Sequence, residues 1–131
     1  MKPLISVIIP AYNAQKYIRQ AVESVIQQTT DADIEVLVID DGSTDSTKEI
    51  VFEIQEECRS RKMDHREICY CPNEKNMGVA ESRNNGIRKA GGAYIAFLDA
   101  DDWWETDKIE KQLQTLEASD AVLCATAREL V

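Results

Sequence analysis

A single histidine, His65, and the absence of any C-x-x-C pair among Cys58, Cys69, Cys71 and Cys124 leave no zinc framework to be written. The four cysteines read instead as reduced structural thiols. No apolar run is long enough to span a membrane, and the N-terminal one, residues 4–9, is too short and too early for a signal sequence. A cytoplasmic chain is expected, with a peripheral place at an inner membrane face left open for a longer protein. Basic residues are in deficit: 15 Lys and Arg against 24 Asp and Glu leave a net charge of -9, the reverse of the surface that nucleic acid requires. Neither G-x-G-x-x-G nor G-x-x-x-x-G-K-[ST] occurs, so glycine-cradled phosphate binding is excluded. Five glycines and three prolines leave no linker, repeat or low-complexity segment.

What is present is an ordered single domain: 131 residues, 44% of them hydrophobic and 30% charged. Residues 4–9 are β-branched and almost wholly apolar, a strand buried on both faces, and Pro10 is expected to stop it. Tyr17, Ile18, Ala21, Val22, Val25 and Ile26 recur at helical spacing. Residues 33–41 form a second buried strand running into Asp40-Asp41-Gly42-Ser43. The capping box Ser46-Thr47-Lys48-Glu49 opens a second helix to about Arg61. A short third strand follows at 66–71, ended by Pro72. A third helix then places Val79, Ala80, Arg83, Asn84, Ile87 and Ala90 on one side and ends at Gly91-Gly92. A fourth strand spans 93–98, a helix covers 106–116 with Ile109, Leu113 and Leu116 inward, and a fifth strand is expected at 121–125. Strict alternation of this kind predicts an α/β fold: a doubly wound, mostly parallel sheet with helices on both faces.

Ligands of such sheets bind beyond the carboxyl ends of the strands. Here those ends carry Pro10-Ala11-Tyr12, Asp40-Asp41-Gly42 and Asp99-Ala100-Asp101-Asp102. The last places three carboxylates in four residues, and their repulsion calls for something positive, for which a divalent cation is the natural candidate. An aromatic plate, hydrogen-bond acceptors and clustered carboxylates suit a nucleoside diphosphate bridged by a hard cation. Plainer roles stand beside these. Asp40 and Asp41 also fit a turn and helix cap, Tyr12 fits loop packing, and Arg83 fits an ion pair with Glu81 or Asp101. One of Trp103 and Trp104 is expected in the core.

Four segments in order resemble the inverting nucleotide-sugar glycosyltransferases of the large family 2 class with the GT-A fold. They are residues 6–13 (SVIIPAYN), 38–45 (VIDDGSTD), Asn76-Met77-Gly78 with 83–87 (RNNGI), and 94–102 (YIAFLDADD). The resemblance implies a donor site for a nucleotide-diphospho-sugar, usually a UDP-sugar. In it Asp41, with Asp40 beside it, reads the base, and Tyr12, Pro10 and Ala11 flank it. Asp99-Ala100-Asp101 falls on the family's D-x-D motif, with Asp99 towards the ribose, Asp101 holding Mg2+ or Mn2+, and Asp102 a reserve ligand or helix cap. Arg83, and more loosely Lys75 and Asn76, fall on the lining of the nucleotide pocket.

The resemblance also implies what the chain omits. The family's general base and acceptor-binding part follow the fifth strand, beyond Val131, so residues 1–131 read as a donor-binding domain, about half of a typical member and a poor catalyst by itself. The implied complete reaction is metal-dependent transfer with inversion to a saccharide, a lipid-linked or another acceptor, as in polysaccharide biosynthesis. Two readings compete with it. A signalling receiver needs an aspartate ending its middle strand and a lysine ending the fifth, whereas here the third strand ends Cys71-Pro72 and residues 123–126 hold no lysine. A non-catalytic module that keeps the fold is opposed by retention of Asp41, Asp99 and Asp101.

Overall fold

The structure, a computed structural model, describes residues 4–119. The strand expected at 121–125 lies outside the described residues. Strand and helix alternate as β1 (Leu4–Ala11), α1 (Ile18–Ile26), β2 (Asp33–Asp40), α2 (Thr47–Ser60), β3 (Arg66–Pro72), α3 (Val79–Lys89), β4 (Tyr94–Phe97) and α4 (Lys108–Ser119). All strand pairs are parallel, in the order β3-β2-β1-β4. A receiver, with strand order 2-1-3-4-5, places its third strand in the middle. Here β1 lies between β2 and β4, and β3 is at the edge among the described residues, which eliminates that rival.

Burial explains the unbroken apolar runs of β1 and β2. Val7, Ile9, Val36 and Val38 enter a core shared with α1 and α2, while Ile8, Leu37 and Ile39 form a second core on the opposite face, with Ala90, Ile95 and Phe97 against it. Each such side chain contributes about 1.5–3 kcal/mol relative to exposure. Helix α1 is amphipathic, burying Ile18, Ala21, Val22, Val25 and Ile26 as the spacing predicts, but Tyr17 stands at its N-cap position and is exposed. Of the paired tryptophans, Trp104 is in the core and Trp103 is exposed.

Three local expectations are corrected. Pro10 does not end β1; it pairs with Ile39 inside the strand. Strand β4 reaches only as far as Ile8, so Pro10 lies where β1 is paired on one side and a missing N–H is tolerated. The α2 cap is Asp45, not Ser46: Asp45 Oδ1 accepts from the Thr47 N–H at 3.0 Å and the Thr47 hydroxyl at 2.6 Å, while Ser46 makes no side-chain cap. Helix α3 buries Ser82 and Gly86 and leaves Val79 and Ile87 outside. The cause is close approach: a Cβ on Gly86 would sit 2.5 Å from Ile8 Cγ2, so only glycine lets the helix backbone reach the sheet here.

The cysteines among the described residues are free. Burial pushes the Cys69 thiol up to about 11, and those of Cys58 and Cys71 in the same direction. They stay protonated and serve as packing groups.

Arg66, at the start of β3, ties the end of α1 to the sheet. Its guanidinium donates to the carbonyls of Ile26, Gln28, Thr30 and Ala32 at 2.8–3.0 Å. A cation at a helix C-terminus also complements the helix dipole. Arg66→Met strands those carbonyls, and we expect a loss of about 3 kcal/mol. The check is a urea midpoint that falls with an unchanged slope.

Candidate functional site

In this sheet the strand order reverses between β1 and β4, and the crevice at such a reversal is where open α/β sheets take ligands. Register brings the predicted residues to that edge. Ala11, Asp40 and Pro72 stand level across β1, β2 and β3. The Asp41 N–H donates to the Ala11 carbonyl, and the Asn73 N–H to the Asp40 carbonyl, both at 2.8 Å. Strand β4 stops at Phe97, and the Leu98 N–H donates to the Ile8 carbonyl at 3.0 Å, delivering residues 99–102 to the same edge.

The loops after β1 and β2 are stitched together. Asn13, at φ 48°, donates its N–H to the Ser43 hydroxyl and accepts from the Thr44 N–H, each at 2.8 Å. The Ala14 N–H donates to the Thr47 hydroxyl at 2.9 Å. Beside this seam Tyr12 is 55% exposed at the rim.

Asp40 and Asp41 are both buried, and both are occupied within the fold. Asp40 accepts from the Tyr70 hydroxyl at 2.5 Å and the Ser43 N–H at 2.9 Å. Burial, then this hydrogen bond, pushes the Tyr70 phenol up. Asp41 accepts from the Met77 N–H at 2.6 Å, the Gly78 N–H at 2.9 Å and Asn73 Nδ2 at 2.9 Å. Burial pushes its carboxyl up, but these donors outweigh it and hold the group below its ordinary value. Asn76 Nδ2 adds a bond to the Asp41 carbonyl at 3.0 Å. Asp41 therefore clamps the 73–78 loop and the start of α3 against the sheet edge, a role its place in the sequence did not announce.

Asn73 is the residue that sequence reasoning missed. Its amide nitrogen also donates to the Ser82 hydroxyl at 3.0 Å, and its oxygen accepts from Asn85 Nδ2 at 2.9 Å. The available signal was position: Asn73 directly follows a strand end, as Asp41 does.

The acidic segment answers its own repulsion in part. Arg83 Nη2 meets Asp99 Oδ1 at 3.2 Å, so Arg83 pairs with Asp99 rather than with Glu81 or Asp101, and the pair bridges α3 to the loop after β4. The Asp102 N–H closes a turn onto the Asp99 carbonyl at 3.0 Å, and Asp102 Oδ1 accepts from the Trp103 N–H at 3.2 Å. Ala100 packs against the core, while Asp99 and Asp101 are exposed. Among the described residues no three His, Cys, Asp or Glu side chains gather into a metal cage. Asp101 presents one exposed hard oxygen donor beyond the carboxyl end of β4. Lys75 is exposed on the 73–78 loop. No described helix is long and apolar enough to cross a membrane.

Comparison with known proteins shows the family and the fold. The family model described as glycosyl transferase family 2 matches residues 6–130. TuaG of Bacillus subtilis, named for teichuronic acid biosynthesis, is 40% identical over 131 residues, covering 99% of this chain and 48% of that protein. Glycosyltransferase GlyA of Streptococcus pneumoniae is 41% identical over 121 residues, covering 90% of this chain and 16% of GlyA. Among solved structures, S. aureus TarS 1–349 in complex with UDP-GlcNAc superposes with a TM-score of 0.75 at 30% identity, over 92% of this chain and 32% of that one. The mannosyltransferase PcManGT of Pyrobaculum calidifontis, in complex with GDP-Man and Mn2+, gives 0.73 at 26% identity, over 88% of this chain and 33% of that one. The chain spans about half of TuaG and a third or less of the others.

Proposed function

Because the chain belongs to glycosyl transferase family 2, we propose that residues 1–131 form the donor-binding domain of an enzyme that transfers a sugar from a nucleotide-diphospho-sugar, a UDP-sugar by preference. The observation that carries this is the arrangement, along the carboxyl edge of the parallel sheet, of an exposed ring (Tyr12), the Asp41-anchored loop, the Arg83–Asp99 pair and the exposed carboxylate of Asp101. The TarS complexes with UDP and UDP-GlcNAc support the donor class by likeness.

Each residue has a chemical part. Tyr12 presents a face on which a base stacks, with the backbone of Pro10 and Ala11 beneath it. Asp41 sets one wall of the base pocket through the segment it clamps; Asp40 supports it from behind. Asp99 faces the ribose, held by Arg83, whose guanidinium also lends positive charge towards the diphosphate. Asp101 would hold Mg2+ or Mn2+. Such a cation supplies positive charge against the charge that develops on the departing nucleoside diphosphate. Inversion at the anomeric carbon, the saccharide or lipid-linked acceptor, and a general base beyond Val131 complete the proposal for the whole enzyme.

The test is thermal unfolding with UDP, GDP and ADP, each with Mn2+. Ligand binding to the folded state stabilises it by about 2.7 kcal/mol at a hundredfold excess over Kd. UDP should raise the midpoint most. Equal effects of all three, or none, contradict the reading.

A further inference from the structure

The acidic loop 99–102 repels itself, and the pair that answers it, Arg83–Asp99, is half exposed and contributes little order. A turn bond from the Asp102 N–H to the Asp99 carbonyl shapes the loop within itself, and its place on the sheet edge is set where it enters and leaves. The entry is fixed by the Leu98 N–H on the Ile8 carbonyl. The exit runs onto the C-terminal end of α1, and there one side chain does most of the joining.

That side chain is Gln28, 5% exposed, two residues past the end of α1. Its Nε2 donates to the Glu105 carbonyl at 2.6 Å and to the Ser24 carbonyl at 2.9 Å, and its Oε1 accepts from the Ile109 N–H at 2.9 Å. One amide therefore satisfies backbone groups on both sides of the turn into α4 while remaining bound to α1. Neighbouring bonds extend the seam: the Trp104 N–H donates to the Ser24 hydroxyl at 3.1 Å, and the Thr29 N–H to the Thr106 carbonyl at 2.8 Å. Trp104 buries its ring nearby, but apolar burial is non-directional and tolerates sliding of the chain. Hydrogen bonds fix the register, and only two residues separate Asp101 from the first of them, at the Trp104 N–H.

We propose that Gln28 is a positioning residue for the donor site: it holds the exit of the acidic loop so that Asp101 presents its carboxylate to the cation and diphosphate. This rests on the donor-site reading above. Gln28 touches no part of the ligand and acts through the backbone of residues 104–109.

The test compares wild type with Gln28→Met, which keeps the side-chain length and removes every amide bond, and Ser24→Ala, which removes the anchor of the Trp104 N–H and a local bond to the Ala21 carbonyl while leaving the Gln28 amide in place. Ile54→Val, a buried change in α2 away from the loop, controls for simple loss of stability. UDP affinity is measured with and without Mn2+. Acrylamide quenching of Trp103 and Trp104, the chain's only tryptophans, reads the loop exit without ligand. Gln28→Met should lose about tenfold of the Mn2+-dependent gain, the scale of one buried hydrogen-bonded group, with a smaller loss of metal-free UDP affinity and quenching increased. Ser24→Ala should show a smaller loss of the same kind, and Ile54→Val none. A Gln28→Met chain with the wild-type Mn2+ gain, or a loss matched by Ile54→Val, overturns the proposal while leaving the donor site standing. Should Gln28→Met not fold, a wild-type gain in Ser24→Ala overturns it equally. A wild-type chain with no Mn2+ gain overturns the metal part of the donor-site reading, and this proposal with it.

Discussion

Asp41→Ala is expected to lower stability by about 2–3 kcal/mol and to weaken UDP binding at least tenfold. The carboxylate is a buried acceptor for two backbone N–H groups and the Asn73 amide. Without it those donors turn to water, and the 73–78 loop loses its hold on the sheet edge. Asp41→Asn keeps one oxygen acceptor and should lose about half as much stability by the same principle. Acid should reproduce the defect. Since the folded carboxyl lies below its ordinary value of 3.8, its stabilisation is complete above that pH and is lost as the pH falls further, through the folded value. The amide protons of Met77 and Gly78, followed by NMR, should shift in that acidic window and stay still at neutral pH. Shifts at neutral pH, or an Asp41→Ala chain with wild-type stability, would contradict the clamp.

Asp101→Ala has the opposite signature. Asp101 is exposed and none of the hydrogen bonds or ion pairs described above involves it, so its loss should leave the unfolding midpoint within about 0.5 kcal/mol of wild type, as for a surface change. Binding should change qualitatively: UDP affinity that rises with Mn2+ in the wild type becomes indifferent to the metal. The pairing of these variants separates the two acids, since Asp41 couples stability to binding and Asp101 affects binding alone. An Asp101→Ala chain that retains the Mn2+ gain would refute its assignment as the ligand.

The elements were legible because burial on two faces writes itself into β1 and β2, and α1 carries its apolar stripe at i, i+3, i+4, i+7 and i+8. Helix α3 was misread because its inward face is set by an absence: Gly86 has no side chain to mark it, and Ile8 fills the space instead. Pro10 was misread because its tolerance depends on how far β4 extends, which no local pattern encodes. The acids at the strand ends were visible as candidates, since charge at the end of a buried run is conspicuous. Their division of labour was not visible. That Asp41 is consumed by loop bonds, that Arg83 answers Asp99, and that Gln28 holds the exit of the acidic loop are all contacts between residues far apart in sequence.

The central claim, that this domain binds a nucleoside diphosphate through a divalent cation at the β1/β4 crevice, is tested most directly by calorimetric titration of the wild-type chain with UDP and a UDP-sugar, with and without Mn2+. The account predicts saturable heat at one site and tighter binding when Mn2+ is present. No heat under either condition, or binding that is the same with and without the metal, would contradict it.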